Sequence, residues 1–316
     1  MQHVYTLSAA RLNGPGMVAI GMFDGVHLGH QHLLSQLVHT ARAKNSVPTV
    51  LTFFPHPDVV MGRVTGRYYL ATPEERAILL GDLGIEWIIT HPFDSQVRQI
   101  RAAEFVDELV RHLHLEELWV GADFAMGYQR EGNVAFLREQ GLEKGFEVKT
   151  VELVASDEGG QVISSNAIRA VLNSGEVEQA ARWLGRPYRV SGEVVQGDQR
   201  GRTIGFPTAN MDVWDEKFLP QNGVYAGWVR LGDEVFMSVA NVGRRPTFGG
   251  QTVTVEAHLL DFDRDIYGEI ITFDFVAHLR PEMRFSGVEA LVEQIKRDAA
   301  QGREILSQAG PPEGRG

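Results

Sequence analysis

The chain has 316 residues, enough for two domains, and its 43% apolar and 22% charged residues suit a globular protein with a sizeable core. It has no cysteine, which excludes disulfides, thiolate zinc sites and a cysteine nucleophile. A formal net charge of −11 argues against broad nucleic-acid binding, although local cations and backbone amides can still hold a small anion. The first residues lack the pattern of a signal peptide, and no apolar run approaches the roughly 18 residues of a membrane span. A cytoplasmic protein with neither membrane nor nucleic-acid partners is expected, and a homo-oligomer is left open.

The first half alternates strand-like and helix-like segments. MVAIGMF (17–23) is an apolar run suited to a buried parallel strand, and HQHLLSQLVHTARAK (30–44) spaces Leu33, Leu34, Leu37, Val38 and Ala41 at helical intervals. VPTVLTF (47–53) is a second strand. TPEERAILLGDLG (72–84) begins with a Thr cap and Pro73 at the first helical position, then ends at Gly84. IEWIIT (85–90), LEELWVGADF (115–124) and GFEVKTVELV (145–154) read as further strands, with a helix at AAEFVDELVRHL (102–113). This rhythm predicts an α/β domain: an open parallel sheet with helices on both faces.

ISSNAIRAVLNSGEVEQAARWLG (163–185) predicts two short helices, after which the pattern changes. From about 188 to 280 the chain is strand-rich with frequent turns, as in a small β-barrel, and SGVEALVEQIKRDAAQGREILSQ (286–308) is a closing amphipathic helix. The expected division is 1–185, 186–308 and a polar, Pro/Gly-rich tail, 309–316, that is disordered.

Chemistry concentrates in GMFDGVHLGH (21–30), at the seam between the first strand and the first helix. A strand, a Gly-rich turn and a helix start form the usual phosphate cradle of α/β folds. Gly25 and Gly29 let backbone approach a ligand, while His27 and His30 lie about one turn apart and can donate to triphosphate oxygens. A metal pair with Asp24 as third ligand is the alternative, as is Asp24 merely capping the turn. The chain has no G-x-x-x-x-G-K-[ST] phosphate loop, and GPGMVA (14–19) precedes its strand instead of following it.

A second constellation is GDQRGRTIGFPTANM (197–211). If TANM is extended, Thr208 and Asn210 face one side, where two neutral oxygens suit a hydrated Mg²⁺ that carries phosphate. A turn followed by a hydrogen-bonded strand end accounts for the same residues. In TVTVEAHLL (252–260), alternation puts Val253, Val255, Ala257 and Leu259 on one face and Thr254, Glu256 and His258 on the other. DFDRD (261–265) lacks the spacing of a calcium loop.

GMFDGVHLGH resembles the HxGH signature of nucleotidyltransferases, in the longer form found in bacterial bifunctional riboflavin kinase/FAD synthetases. The likeness continues through LTFFPHP (51–57), GADFAMG (121–127) and ISSNAIR (163–169), where Asn166 stands in place of the family's Thr. Downstream, GRTIGFPTAN, GVYA, NVGRRPT, EAHLLDF, DIYG and LRPEMRF follow the order of the riboflavin kinase domain. The resemblance implies a Rossmann-like adenylyltransferase domain followed by a kinase β-barrel. It implies nucleotide contacts from Gly21, Phe23, Asp24, Gly25, Gly29, Asp123, Ser164 and Ser165, with His27, His30 and Arg169 catalytic.

In the second domain it implies nucleotide binding by Gly201, Arg202, Gly205, Pro207, Thr208 and Asn210, the last two holding Mg²⁺, with Glu256 as general base. The expected activities phosphorylate riboflavin to FMN and adenylylate FMN to FAD, with ATP, riboflavin and FMN as small-molecule partners. Rival expectations are a flavin kinase whose first domain is inactive or differently specific, another HxGH transferase, and a flavin carrier without turnover.

Overall fold

The computed structural model describes residues 1–151, 160, 162–197, 201, 204–247 and 250–312, and it divides into two compact units, Met1–Ser165 and Asn166–Gly316. In the first unit six parallel strands lie in the order β1-β4-β3-β2-β5-β8: β1 (Gln2–Val4), β2 (Gly16–Ile20), β3 (Val47–Phe54), β4 (Trp87–Pro92), β5 (Leu115–Gly121) and β8 (Glu147–Val151). A two-residue pair, β6 (Ala125–Met126) and β7 (Gly132–Asn133), follows β5.

Strand alternation sends successive residues of β2 to opposite faces. Met17 and Ala19 pack with Leu34, Leu37, Val38 and Ala41 of α1 (Leu28–Lys44), and with Ala77 and Leu80. A short α2 (Pro57–Val60) precedes α3 (Pro73–Asp82), which supplies those last two residues. Val18 and Ile20 pack with Phe105, Val106, Leu109 and Leu113 of α4 (Ala102–Leu113), and with Leu137 of α5 (Val134–Lys144). Helices therefore cover both faces, and β2 is buried along its whole length. Thr72 caps α3 as expected, and Glu75 completes a capping box with it, a feature contributing about 1 kcal/mol.

The strand order reverses between β2 and β5. From β2 the chain moves outward through β3 and β4, then returns to β5 on the other side. The loops after these two strands flank a topological switch point, where open α/β sheets bind ligands.

The second unit opens with α6 (Ser165–Asn173) and α7 (Val177–Leu184) and continues into six antiparallel strands closed as a barrel. The strands are β9 (Tyr188–Val195), β10 (Ala209–Val213), β11 (Gly223–Leu231), β12 (Glu234–Thr247), β13 (Gly250–Leu259) and β14 (Ile270–Pro281), joined in the order β10-β13-β12-β11-β14-β9. Tyr225, Phe273 and Phe275 are fully buried, with ring centroids 4.8–5.2 Å apart between neighbours.

Helices α6 and α7 are bonded to barrel residues: Gln221 N donates to Leu172 O at 2.8 Å, and His278 N donates to Glu178 Oε1 at 3.2 Å. The contact division thus falls at Ser165, ahead of both helices, whereas the change in sequence pattern falls after them. The closing helix α8 (Val288–Ala309) lies on the outer barrel surface, where Gly302 leaves room for Val239 and Ala226. Asp298 on α8 receives Arg280 through both carboxylate oxygens. Beyond α8, Pro312 O accepts from Arg230 at 2.7 Å; residues 313–316 lie outside the described residues.

Candidate active site

The loop after β2 is held from four sides. Met22 O accepts from Thr52 Oγ1 on β3 at 3.0 Å and from Arg76 Nη1 on α3 at 2.9 Å. The Asp24 carboxylate, 1% exposed, accepts from Leu70 N and Ala71 N at 3.0–3.1 Å. Ser165 Oγ donates to Asp24 O at 2.8 Å. These bonds fix Asp24 as a structural tie. Among the described residues no group of three or more His, Cys, Asp or Glu side chains is arranged to hold a metal ion.

The clamp imposes an unusual backbone. Phe23, Gly25 and Val26 have φ of 48°, 76° and 43°; for Val in particular this is a strained conformation that the surrounding bonds sustain. It turns the chain directly into α1, whose N-cap is His27. His27 Nδ1 accepts from His30 N at 3.4 Å, so in the neutral ring Nε2 carries the proton. The two imidazoles stack at 3.6 Å with 20° between planes, and His30 also meets Phe23 edge-on at 5.1 Å.

Gly29 leaves room for this stack: a Cβ there would lie 3.1 Å from the His27 ring. Burial first, then His27, then the Arg76 cation hold His30 well below its ordinary pKa of 6.5. His30 is therefore a neutral hydrogen-bond donor at pH 7. A helix N-terminus with two such imidazoles makes a donor-rich seat for phosphate oxygens.

The other expected residues of this site divide by position. Gly21 sits under the Phe23 ring, where a Cβ would come within 3.1 Å. Asp123 is exposed in the loop after β5, across the switch point, and its carbonyl accepts from Arg130 Nη2. Ser164 and Ser165 follow Ile163, whose carbonyl lies 3.7 Å from a Cβ built on Gly29. Arg169 belongs to the second unit, where it is buried and donates to Asn166 Oδ1 at 2.7 Å. Arg76 and Thr52 were not singled out by the sequence. The available signal was an arginine on the apolar stripe of α3, four residues before Leu80.

In the barrel, register assembles the second constellation. Asn210 on β10 pairs with Glu256 on β13, which pairs in turn with Asn241 on β12. Directly opposed residues share a face, so the three polar side chains form one row across the sheet. Val255 and Ala257 on either side of Glu256 are fully buried, which puts the row on the outer surface. The expectation for Glu256 from strand alternation agrees.

The segment before β10 folds over this surface: His258 Nδ1 donates to Pro207 O at 2.8 Å, and the His258 ring meets Phe206 edge-on. Glycines allow the close approach. A Cβ on Gly197 would lie 2.4 Å from Asn210 Nδ2, and one on Gly201 would lie 2.3 Å from Phe206 O and 3.6 Å from Thr208 Oγ1. Gly205 turns with φ of 86°. Arg202 lies outside the described residues.

Thr208 and Asn210 thus present neutral oxygens at alternate positions beside a carboxylate, under glycine backbone. That hard, oxygen-only donor set fits Mg²⁺, which keeps most of its waters and binds phosphate alongside one or two protein oxygens. Glu282, not anticipated from the sequence, adds a carboxylate beside Asn241: a Cβ on Gly243 would be 2.5 Å from Glu282 Oε1 and 2.8 Å from Asn241 Nδ2.

Comparison with known proteins covers the same two units. A riboflavin kinase family model matches residues 184–306, and an FAD synthetase family model matches residues 10–167. The bifunctional riboflavin kinase/FMN adenylyltransferase of Listeria monocytogenes is 38% identical over 295 residues, covering 92% of each chain. The Escherichia coli protein of the same name is 37% identical over 310 residues, covering 98% of each. A crystal structure titled macrolide-efflux protein, from Streptococcus pneumoniae, superposes with a TM-score of 0.86 at 29% identity, covering 96% of this chain and 98% of that one. Among the described residues no helix is long and apolar enough to cross a membrane.

Proposed function

This chain belongs to the bifunctional riboflavin kinase/FMN adenylyltransferase family, and from that premise we infer that it makes FMN from riboflavin and FAD from FMN, using ATP in both steps. The observation that carries this reading is that each unit holds its own constellation: the clamped histidine loop in the first, the Asn210–Glu256–Asn241 row in the second. A flavin kinase with an idle first domain would have no need for a strained, four-sided clamp on two stacked imidazoles. ATP as the common donor fits a cytoplasmic location.

In the barrel, Glu256 accepts the proton of the terminal ribityl hydroxyl as that oxygen attacks the γ-phosphorus, and ADP leaves. Thr208 and Asn210 would hold Mg²⁺, which neutralises phosphate charge when bound. Asn210 lies opposite that carboxylate in register, and Gly197, Gly201 and Gly205 let phosphates come close to the strand.

In the first unit, the FMN phosphate attacks the α-phosphorus of ATP, and pyrophosphate leaves. A phosphate monoester is already an anionic nucleophile, so the step needs placement and charge stabilisation, not a base. His27 and His30 donate to the oxygens of the triphosphate, the amides at the start of α1 add to that field, and Ser164 and Ser165 line the opposite rim. Arg169, by its position in ISSNAIR, is assigned to the departing pyrophosphate.

Purified protein incubated with riboflavin, ATP and Mg²⁺, with flavins separated over time, tests the reading. FMN followed by FAD is expected. FMN alone would remove the adenylyl-transfer assignment, and bound flavin with no ATP consumed would replace both activities with a carrier role.

A further inference from the structure

Register places Thr208 just beyond the end of its own ladders. β10 pairs with β13 through Ala209↔Ala257, Asn210↔Glu256 and Met211↔Val255, and with β9 from Asn210 onward. One step further along the first ladder, the position opposite Thr208 is His258. The backbone pairing stops there and a side chain takes over. His258 Nδ1 bonds Pro207 O at 2.8 Å, and its ring meets Phe206 edge-on with centroids 5.4 Å apart.

The direction of that bond is fixed. A carbonyl oxygen only accepts, so the imidazole donates and Nδ1 carries a proton. The grip is itself anchored: Ser238 Oγ on β12 donates to His258 O at 2.9 Å, and Val239 pairs with His258 across that ladder. On the gripped side, Phe206 N and Ile204 N both donate to Gly201 O, at 2.8 and 3.2 Å. The chain entering β10 is therefore a hydrogen-bonded turn, and His258 joins it to the sheet.

We propose that His258 is a positioning residue for riboflavin phosphorylation: through the Pro207 carbonyl it sets where Thr208 and Asn210 present their oxygens to Mg²⁺ and phosphate. One face of β13 then serves both ends of the reaction from positions two residues apart. Glu256 stands opposite Asn210, and His258 stands opposite Thr208. The spacing between the proton acceptor and the oxygen pair is thus set by a single strand, and the imidazole touches no reacting atom.

The proposal rests on the reading of Thr208 and Asn210 as the Mg²⁺–phosphate residues, and its test keeps the two apart. Amide hydrogen exchange of the full chain, without nucleotide or metal, reads the tether alone. Asparagine can put an amide nitrogen where His258 has Nδ1, whereas glutamine places it where the ring has Nε2. Peptides spanning 204–211 are expected to exchange severalfold faster in His258→Ala and His258→Gln, and at the wild-type rate in His258→Asn. Equal exchange in all of these proteins would overturn the proposal. In the wild type itself, two-bond nitrogen–proton spectra should show a proton on His258 Nδ1; a ring protonated only on Nε2 would overturn it with no variant needed.

In riboflavin phosphorylation, the half-saturating Mg²⁺ concentration is expected to rise about tenfold in His258→Ala and His258→Gln, with KM for riboflavin and FAD formation from FMN unchanged. His258→Asn is expected to recover the wild-type Mg²⁺ dependence. A folded His258→Ala protein with that dependence intact would overturn the proposal, as would a loss that His258→Asn shares in full. If Thr208→Val left the Mg²⁺ dependence unchanged, the metal reading itself would fail, even with the exchange contrast intact.

Discussion

The two units solve opposite proton problems. In the proposed mechanism the kinase nucleophile is a neutral hydroxyl and the acceptor is Glu256, set in a row of neutral amides on the outside of a closed sheet. In the proposed adenylyl transfer the nucleophile arrives charged, and the donors are two stacked imidazoles and the amides at the start of a helix that follows a parallel strand. The carboxylate present there, Asp24, is turned away and consumed by Leu70 and Ala71 amides. Where the polar groups sit follows from the fold. A parallel sheet exposes its loops at one edge, while a small barrel filled with Tyr225, Phe273 and Phe275 leaves only its outer face for ligands.

Removing the acceptor should have the largest effect. Glu256→Gln is expected to lower FMN formation by roughly 10²–10⁴-fold. When FMN is supplied, FAD formation should stay at the wild-type rate, and a parallel loss of both would break the division of labour. His30→Ala is the converse: FAD formation should fall by about 10²–10³-fold with riboflavin phosphorylation retained, measured by separate assays of each step.

A subtler contrast comes from Gly197→Ala. Its Cβ would press on the Asn210 amide, displacing the loop over the nucleotide and lowering kinase kcat/KM by up to about 10²-fold, with FAD formation from FMN unaffected.

The smallest effect sharpens the comparison through pH. His30 is held neutral in the native protein, whereas in the unfolded chain it takes a proton near 6.5. The unfolded state therefore binds more protons below that pH. This group's stabilisation is complete above about 6.5 and shrinks as pH falls toward its lower native value, by roughly 1 kcal/mol per unit. Denaturation of the first unit, followed at pH 7.5 and pH 5.5, should show a larger acid loss in the wild type than in His30→Gln. Equal losses would mean that His30 is not the buried base described here.

The parts legible in the sequence are those set by local chemistry. Thr72 and Pro73 announce α3 because capping is decided within a few residues. The His27–His30 seam is visible because strand, turn and helix follow without interruption. Glu256 could be placed on its face because a strand has a period of two.

The parts that were not legible depend on distant partners. β1 has three residues and exists through its ladder with β4, and α5 escaped notice because Leu142, on its surface, is 89% exposed and blurs the apolar stripe. Arg76 reads as an ordinary helix arginine until Met22, fifty-four positions earlier, arrives beneath it. Asn241 and Glu282 needed the barrel's register, which no single strand encodes.

Closure of the barrel has one more consequence. A sheet that joins its own ends has no unpaired strand to offer another chain, so strand addition is a hazard confined to the first unit. There the two margins are defended differently: β1 is too short to template a partner, and β8 carries the charged pair Glu147 and Lys149, bonded at 2.6 Å. Substitutions that lengthen the one or neutralise the other would be the ones to turn this chain into a self-pairing one.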